Sequence, residues 1–284
     1  MPVLDGFVKK HDYLVCVDSD GCVMDTMNSK HIHCFGPCMV SQWGLEAWSG
    51  EILPRWNEIN LFQKTRGINR FKGLAMALEE IDKKYTPILG VAFLQRWVNT
   101  APALSDDALQ AAVDICTDPA GRQCLEKALA WSKAVNERTD TLARALKLPF
   151  PGAADGLEAA HNVADVVVVS SANRDAVVQE WETHQLMGYV DLLLTQDAGS
   201  KSRCIGQMLQ EGYDPARVLM VGDAPGDLEA AEKNRVWFYP ILVSHERESW
   251  REFREVALGK LRDGTYGEGY QNAKRRAFSS NLAD

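Results

Sequence analysis

Short apolar runs that end abruptly in polar residues constrain the fold of this chain more than any other feature. The run from Tyr13 to Val17 stops at Asp18-Ser19-Asp20-Gly21, the pattern of a buried strand with acids at its end. Such acids lie at the carboxyl edge of a sheet, where open α/β folds bind ligands. Because crowded carboxylates repel one another, they require a cation or a separate chemical role for each acid.

Later apolar runs end in the same way. The run 166–169 is followed by Ser170-Ser171, and the run 218–221 by Gly222-Asp223. Helical patterns separate most of the runs, and one of these helices begins after Asn173, a residue type that caps helices. Alternating strands and helices predict a parallel sheet with helices on both faces. The predicted strands cover 13–18, 166–170, 190–194, 218–222 and 236–241, and further predicted helices cover 201–211 and 227–233.

Four elements occur in a fixed order: strand-Asp-x-Asp-Gly, strand-Ser, Lys201, and strand-Gly-Asp-x-x-x-Asp. Over residues 11–30 and about 150–245, this order resembles the haloacid dehalogenase-like (HAD) phosphohydrolases. The resemblance implies a Rossmann-like α/β fold, with a parallel sheet of order 3-2-1-4-5 and an inserted α-helical cap. We therefore expect a catalytic core formed by 1–26 and 150–284 and a cap formed by 27–149.

The expected reaction is the hydrolysis of a phosphate ester. A dication must lie between the anionic ester and an anionic nucleophile, and Mg²⁺ suits a site of oxygen ligands. By resemblance, Asp18 would be the nucleophile and a Mg²⁺ ligand, and Asp223 would complete the metal site. Asp20 would bind the metal through its backbone carbonyl and serve as general acid and then base.

The remaining site residues also follow from the resemblance. Ser170 would donate a hydrogen bond to a phosphoryl oxygen, with Ser171 as its competitor and Asn173 as a further substrate-binding candidate. Lys201 would neutralise the nucleophile and the transferring group. Asp227 would orient Lys201 or a metal-bound water. Ser19 stands where the family commonly has an apolar residue, and this departure removes no catalytic group.

Between Thr26 and about Phe150 the strand patterns disappear and helical ones dominate. Here Arg66 and Arg70 belong to a basic segment that is similar to the specificity loop of β-phosphoglucomutase-type caps. They could bind a second anionic or polyhydroxyl part of a substrate, or form a solvated helix start. Lys30 and His31 could line the cap entrance or serve as a plain linker. Residues recur at helical spacing in two stretches of this region. The first is Leu74, Ala77, Leu78, Ile81 and Tyr85, and the second is Leu125, Leu129, Ser132, Val135, Leu142 and Leu146.

Composition narrows the possible partners. A net charge of −8 and a pI near 5.3 argue against nucleic-acid or anionic-membrane binding.

Seven cysteines without disulfide spacing, and no visible signal peptide, favour a reducing cytoplasm. The spacing of His31, His33, Cys34 and Cys38 matches no zinc pattern. Neither the oligomeric state nor the identity of the substrate follows from the sequence.

Three functions fit these observations. The first is a Mg²⁺-dependent phosphatase acting on a small phosphorylated metabolite. The alternatives are a phosphosugar mutase of the same fold, suggested by the basic cap segment, and a non-catalytic phospholigand-binding protein.

In the tail, Trp250, Phe253, Ala257 and Leu261 could form one apolar helix face, whereas the glycine-rich segment 263–269 follows no strand and is expected to be a loop.

Overall fold

A computed structural model describes residues 6–283. These residues form a five-stranded, fully parallel sheet of order β3-β2-β1-β4-β5, which confirms the predicted order. The strands are β1 (Leu14–Val17), β2 (Asp165–Val169), β3 (Leu192–Leu194), β4 (Val218–Gly222) and β5 (Trp237–Pro240). Each lies within the predicted range or begins one residue before it.

The chain divides into two compact units, one formed by Met1–Met27 with Arg144–Asp284 and one by Asn28–Ala143. The helices up to the end of the second unit are α1 (Thr26–Lys30), α2 (Gly36–Trp43), α3 (Ser49–Asn57), α4 (Arg70–Lys84), α5 (Val91–Thr100), α6 (Asp106–Ile115) and α7 (Pro119–Asp140). Those that follow are α8 (Ala153–His161), α9 (Arg174–Thr183), α10 (Lys201–Gln210), α11 (Pro225–Asn234), α12 (Glu246–Glu252), α13 (Leu258–Arg262) and α14 (Glu268–Asn281).

Strand β1 lies in the middle of the sheet because it is apolar on both faces. Val15 and Val17 pack into one core cluster, and Leu14 and Cys16 pack into another on the opposite face. Such two-sided burial is typical of parallel strands covered by helices. In the register of the sheet, Val17 lies level with residues of β2 and β4, so the carboxyl ends of these three strands meet at one edge.

The tail is part of the sheet-containing unit. The side chains of Trp250, Phe253, Ala257 and Leu261 are all buried in one core cluster, which confirms the predicted apolar face. The helix carrying them is interrupted by a π-helical turn at Phe253–Ala257. The predicted glycine-rich loop is shorter than expected, because α14 already begins at Glu268.

The second unit, Asn28–Ala143, is helical and has its own core. The repeat at Leu74 lies in α4, and the repeat at Leu125 lies in α7. The expected continuation to Leu142 and Leu146 is wrong, because α7 ends at Asp140, with Thr141 as its cap. Residues 144–149, which we assigned to the cap, lie in the sheet-containing unit.

That segment pairs with the chain after β1. The backbone N–H of Asp25 donates to the carbonyl of Leu148 at 2.7 Å, and the N–H of Phe150 donates to Val23 at 2.8 Å. The outgoing and returning chains therefore run antiparallel at the unit boundary.

Candidate active site

Three buried acids converge at the carboxyl edge of the sheet. Asp18 follows β1, Asp223 follows β4, and Asp227 lies in the first turn of α11. One carboxylate oxygen of each lies within 4.8 Å of those of the other two. The sequence separates Asp18 from the other two by about two hundred residues, and the parallel register of β1 and β4 brings them together.

Lys201 is the cation of this cluster. It is the first residue of α10, whose N-terminus is capped by the side chain of Ser200. Its Nζ lies 2.7 Å from Asp18 Oδ2 and 2.6 Å from Asp227 Oδ1. The lysine thus bonds to two of the three carboxylates.

Asp227 is held by the backbone as well as by Lys201. Its Oδ2 accepts the N–H groups of Asp223 at 3.2 Å and of Ala224 at 3.0 Å. A Cβ at Gly222 would lie 2.3 Å from the Asp227 carboxyl carbon, so glycine is required there. Since both oxygens of Asp227 already accept hydrogen bonds, its geometry suits orienting Lys201 and the loop after β4.

The pKa shifts in the cluster show that burial and mutual repulsion disfavour its negative charges. Desolvation raises the pKa of Asp18, Lys201 opposes this shift, and Asp227 and Asp223 reinforce it. Burial alone would lower the pKa of Lys201, but Asp18 and Asp227 raise it. Burial, followed by the charges of Asp223 and Asp18, also raises the pKa of the Cys22 thiol.

This donor set fits a hard divalent cation. Carboxylate oxygens are the ligands that Mg²⁺ prefers, and a desolvated acid cluster is stabilised by added positive charge. The raised pKa of Asp18 shows that Lys201 alone does not offset burial and repulsion. Asp18 and Asp223, at the ends of β1 and β4, could hold the ion, whereas Asp227 accepts three hydrogen bonds that tie it to Lys201 and to the loop after β4.

Asp20 lies in the loop after Asp18, and a neighbour that the sequence analysis missed holds its side chain. The hydroxyl of fully buried Thr26 donates to Asp20 Oδ1. Gly21 supports the loop with a φ of 85°, in the left-handed region, and its N–H donates to the carbonyl of Met24 at 2.8 Å. No local pattern in the sequence distinguishes Thr26 from an ordinary helix-start residue.

The serines after β2 differ in their surroundings. Ser170 is buried, and its Oγ accepts the N–H of Ala172 at 3.2 Å, whereas Ser171 is exposed. Asn173 caps α9, because its Oδ1 accepts the N–H groups of Asp175 and Ala176. Ser170 therefore lies at the end of the strand next to β1, and Asn173 has a structural task.

Two indole groups hold the loop after Asp18, and no local pattern in the sequence indicates either hydrogen bond. Trp181 Nε1 donates to Ser19 Oγ at 2.9 Å, and Trp250 Nε1 donates to the carbonyl of Cys22 at 3.0 Å. Trp250 belongs to the tail, and a Cβ at Gly156 would lie 2.5 Å from its ring. The tail thus contacts the loop that carries Asp18 and Asp20.

The basic residues predicted for the cap lie within the second unit. Arg66 is buried, and its Nη1 donates to the carbonyl of Leu61 at 2.7 Å. Arg70 Nη1 donates to Asn136 Oδ1 at 2.7 Å and to Ser132 Oγ at 3.2 Å. Its guanidinium also lies 5.1 Å from the ring centre of Phe35.

Desolvation lowers the pKa of Arg70, an effect opposed by Asp106. Lys30 is buried, and the ring of His31 stacks on that of Phe35 at a centroid distance of 4.6 Å. The ring of His31 and the guanidinium of Arg70 therefore contact an aromatic side chain of the helical unit.

Comparison with known proteins identifies the family. A family model of haloacid dehalogenase-like hydrolases matches residues 86–240, more than half of the chain. The protein therefore belongs to the haloacid dehalogenase-like hydrolases. The matched span includes Ser170, Lys201, Asp223 and Asp227, and Asp18 precedes it.

The structural comparison finds solved structures that are similar to this chain at low sequence identity. One is a haloacid dehalogenase-like hydrolase from Streptococcus pneumoniae, with 13% identity, coverage of 84% of this chain and 90% of that one, and a TM-score of 0.46. Another is a HAD-superfamily hydrolase of subfamily IA from Geobacter sulfurreducens, with 14% identity, coverage of 82% and 90%, and a TM-score of 0.40. A search of curated proteins finds no match.

Within residues 6–283, no helix has the length and apolar character needed to cross a membrane.

Proposed function

We propose that this protein is a Mg²⁺-dependent phosphatase that hydrolyses a small phosphorylated metabolite through an aspartyl-phosphate on Asp18. The observation that carries the proposal is the convergence of Asp18, Asp223 and Asp227 with Lys201 at the carboxyl edge of the sheet. A cation-poor cluster of buried carboxylates fits a site that gains a dication and then an anionic substrate. Membership in a hydrolase family supports the same conclusion.

In the proposed reaction, a carboxylate oxygen of Asp18 attacks phosphorus and the bond to the leaving oxygen breaks. Lys201, 2.7 Å from Asp18, neutralises charge at the transferring group. Ser170, buried at the end of β2, would donate a hydrogen bond from its hydroxyl to a phosphoryl oxygen. Mg²⁺, held by Asp18, Asp223 and the Asp20 carbonyl, would supply positive charge that lets the two anions approach.

Asp20 would give its proton to the leaving oxygen and then take one from the water that hydrolyses the aspartyl-phosphate. The hydroxyl of Thr26 donates to Asp20 Oδ1, and this bond would orient the carboxyl group for proton transfer. The products are the dephosphorylated alcohol and inorganic phosphate, with Asp18 regenerated.

Substrate selection belongs to the helical unit in this proposal. Arg70 is the stronger candidate of the two arginines, because Arg66 is buried and donates to Leu61. Lys30, His31, Ser171 and Asn173 stay candidates for substrate contact. Asn173 could contribute only through groups other than its Oδ1, which caps α9.

The test is phosphate release from a panel of phosphorylated metabolites with and without Mg²⁺. We expect Mg²⁺-dependent turnover that Asp18→Asn lowers at least about 10³-fold, the order seen when a nucleophile is removed. Asp12→Asn, which changes an exposed acid paired with Arg217, is the matched control and should retain turnover. Full activity in Asp18→Asn would refute the proposal.

The same panel separates the alternative functions. Conversion of a hexose 1-phosphate into an isomer without free phosphate would identify a mutase. Tight binding of phosphate esters without turnover would identify a phospholigand-binding protein.

A further inference from the structure

Ser19 lies between the two acids of the first motif and is fully buried. Its Oγ accepts the indole N–H of Trp181 at 2.9 Å, across 162 positions of sequence. Trp181 is itself fully buried in the core cluster on one face of the sheet. A buried indole N–H usually donates to an acceptor, and for Trp181 a hydroxyl next to Asp18 supplies it.

The backbone polar groups of Ser19 are also engaged. Its N–H donates to Asp18 Oδ1 at 2.8 Å, and its carbonyl accepts the N–H groups of Val23 at 3.0 Å and Met24 at 2.9 Å. Since Lys201 bonds to Asp18 Oδ2, the Ser19 N–H and the lysine together fix the rotation of the Asp18 carboxylate. The orientation of the Ser19 backbone therefore determines the position of Oδ1 in the Asp18 carboxylate.

Trp181 connects this orientation to a second part of the site. It lies on α9, which begins at Arg174 directly after its cap Asn173, three residues beyond Ser170. A hydrogen bond from α9 to Ser19 therefore couples the loop bearing Asp18 to the segment that follows Ser170. A change in Ser19 or Trp181 would therefore shift the loop bearing Asp18 relative to the segment that follows Ser170.

We propose that Ser19 and Trp181 are positioning residues, whose hydrogen bond holds the Asp18 carboxylate in line with a phosphoryl group bound at Ser170. The inference rests on the proposed phosphatase function. Misplacement of reacting groups by an ångström can cost about 100-fold in rate, so loss of this bond should affect turnover more than binding. No atom of either side chain needs to touch the substrate.

The kinetic test compares Trp181→Phe, Ser19→Ala and the double variant. We expect each to lower kcat about 10-fold, with KM within about twofold of the parent. Because both residues act through one bond, the double variant should be no slower than either single variant. Trp237→Phe, which removes an indole bond to the Ala216 carbonyl at 2.8 Å beside the amino edge, is the matched control and should keep the parental kcat.

Stability provides the discriminating readout. Ser19→Ala leaves the buried indole N–H without its acceptor, whereas the double variant removes both partners but leaves a smaller ring in the core. The fall of the urea midpoint in the double variant should therefore be smaller than the sum of the falls in the two single variants, while kcat stays low. Parental kcat in the double variant would show a merely structural role and overturn the proposal, as would parental kcat in both single variants.

A spectroscopic measurement works without turnover. The indole ¹H–¹⁵N signal of Trp181, assigned by its loss in Trp181→Phe, should move on addition of Mg²⁺ alone, and the Trp237 signal should not. Ser19→Ala should reduce the movement. An unmoved Trp181 signal in a protein that binds Mg²⁺ calorimetrically would overturn the coupling. A responsive signal with no phosphate release from any ester would instead refute the proposed function and leave the coupling intact.

Discussion

The two edges of the sheet both bury acidic side chains, but they surround those acids in opposite ways. At the amino edge, Asp165 accepts the backbone N–H groups of Lys10 at 3.1 Å and His11 at 3.0 Å. It also accepts the hydroxyl of Tyr213 at 2.5 Å. Asp191 accepts Lys10 Nζ at 2.7 Å. Hydrogen-bond donors therefore surround the buried carboxylates at this edge.

At the carboxyl edge, the acids face one another. Asp18, Asp223 and Asp227 have oxygens within 4.8 Å of each other, and Lys201 bonds to two of them. The pKa values move accordingly: desolvation and neighbouring acids raise that of Asp18, although Lys201 opposes them. At the amino edge, desolvation would raise the pKa of Asp191, but the donors around it lower it.

The comparison teaches that burial of an acid does not by itself mark a functional site. A buried carboxylate surrounded by donors stabilises the fold, whereas carboxylates gathered around too little positive charge store repulsion that a bound cation relieves. The chain thus carries a structural acid cluster and a candidate active site on the same sheet.

Removal of an acid at the carboxyl edge should have the largest effect, and that effect should be on activity. We expect Asp223→Asn to lower kcat/KM at least about 100-fold, since even residues that only support metal ligands cost 10–100-fold. It should also abolish the increase in melting temperature produced by Mg²⁺. The metal-free protein should be no less stable, because the change removes a charge that raises the pKa of Asp18.

Phosphate release and thermal unfolding, each with and without Mg²⁺, measure these outcomes. Asp12→Asn controls for the loss of an exposed acid. A large loss of stability in metal-free Asp223→Asn would break the contrast between the edges, because it would make Asp223 a structural acid like Asp165.

Removal of an acid at the amino edge should reverse the pattern. Asp165→Asn replaces a carboxylate that accepts from three donor groups with a group that is partly a donor, and it should lower the free energy of unfolding by about 3 kcal/mol. Urea denaturation measures this loss. The kcat of the folded fraction should stay at the parental value, because Asp165 lies at the opposite edge from Asp18.

Tyr213→Phe provides the graded control at the same site. It removes one donor to Asp165 and keeps the ring, so the expected loss is about 1 kcal/mol. If Asp165→Asn lowered kcat as strongly as Asp223→Asn does, the two edges would not be independent.

The sequence was sufficient to predict the sheet because apolar runs and their polar ends are local patterns. The order of the strands was implied by the family resemblance alone, and the meeting of Asp18, Lys201 and Asp223 at one edge by the runs and the resemblance together. The amino-edge cluster was not predicted, since Asp165 and Tyr213 belong to separate segments with no shared motif.

Other features depend on contacts that no local pattern encodes. The Ser19–Trp181 bond joins residues 162 positions apart, and the burial of Arg66 arises from packing inside the helical unit. Asn173 illustrates a different limit. The sequence marked it both as a helix cap and as a substrate-binding candidate, and the structure gives its Oδ1 to the cap.

The smallest expected effect is a pH-dependent one, and it sharpens the contrast between Asp191 and Asp18. Since the pKa of Asp191 is lower in the folded protein than in the unfolded chain, this carboxylate stabilises the fold at pH above about 4. That contribution is lost as the pH falls through the folded pKa. Asp191→Asn should therefore lower the free energy of unfolding by about 1 kcal/mol at pH 7, and the difference from the parent should shrink below about pH 4. Urea denaturation at pH 7 and pH 3.5 measures this difference, and Asp12→Asn is the exposed control. If the difference in free energy of unfolding between Asp191→Asn and the parent instead grew on acidification, Asp191, like Asp18, would be held in surroundings that disfavour its charge.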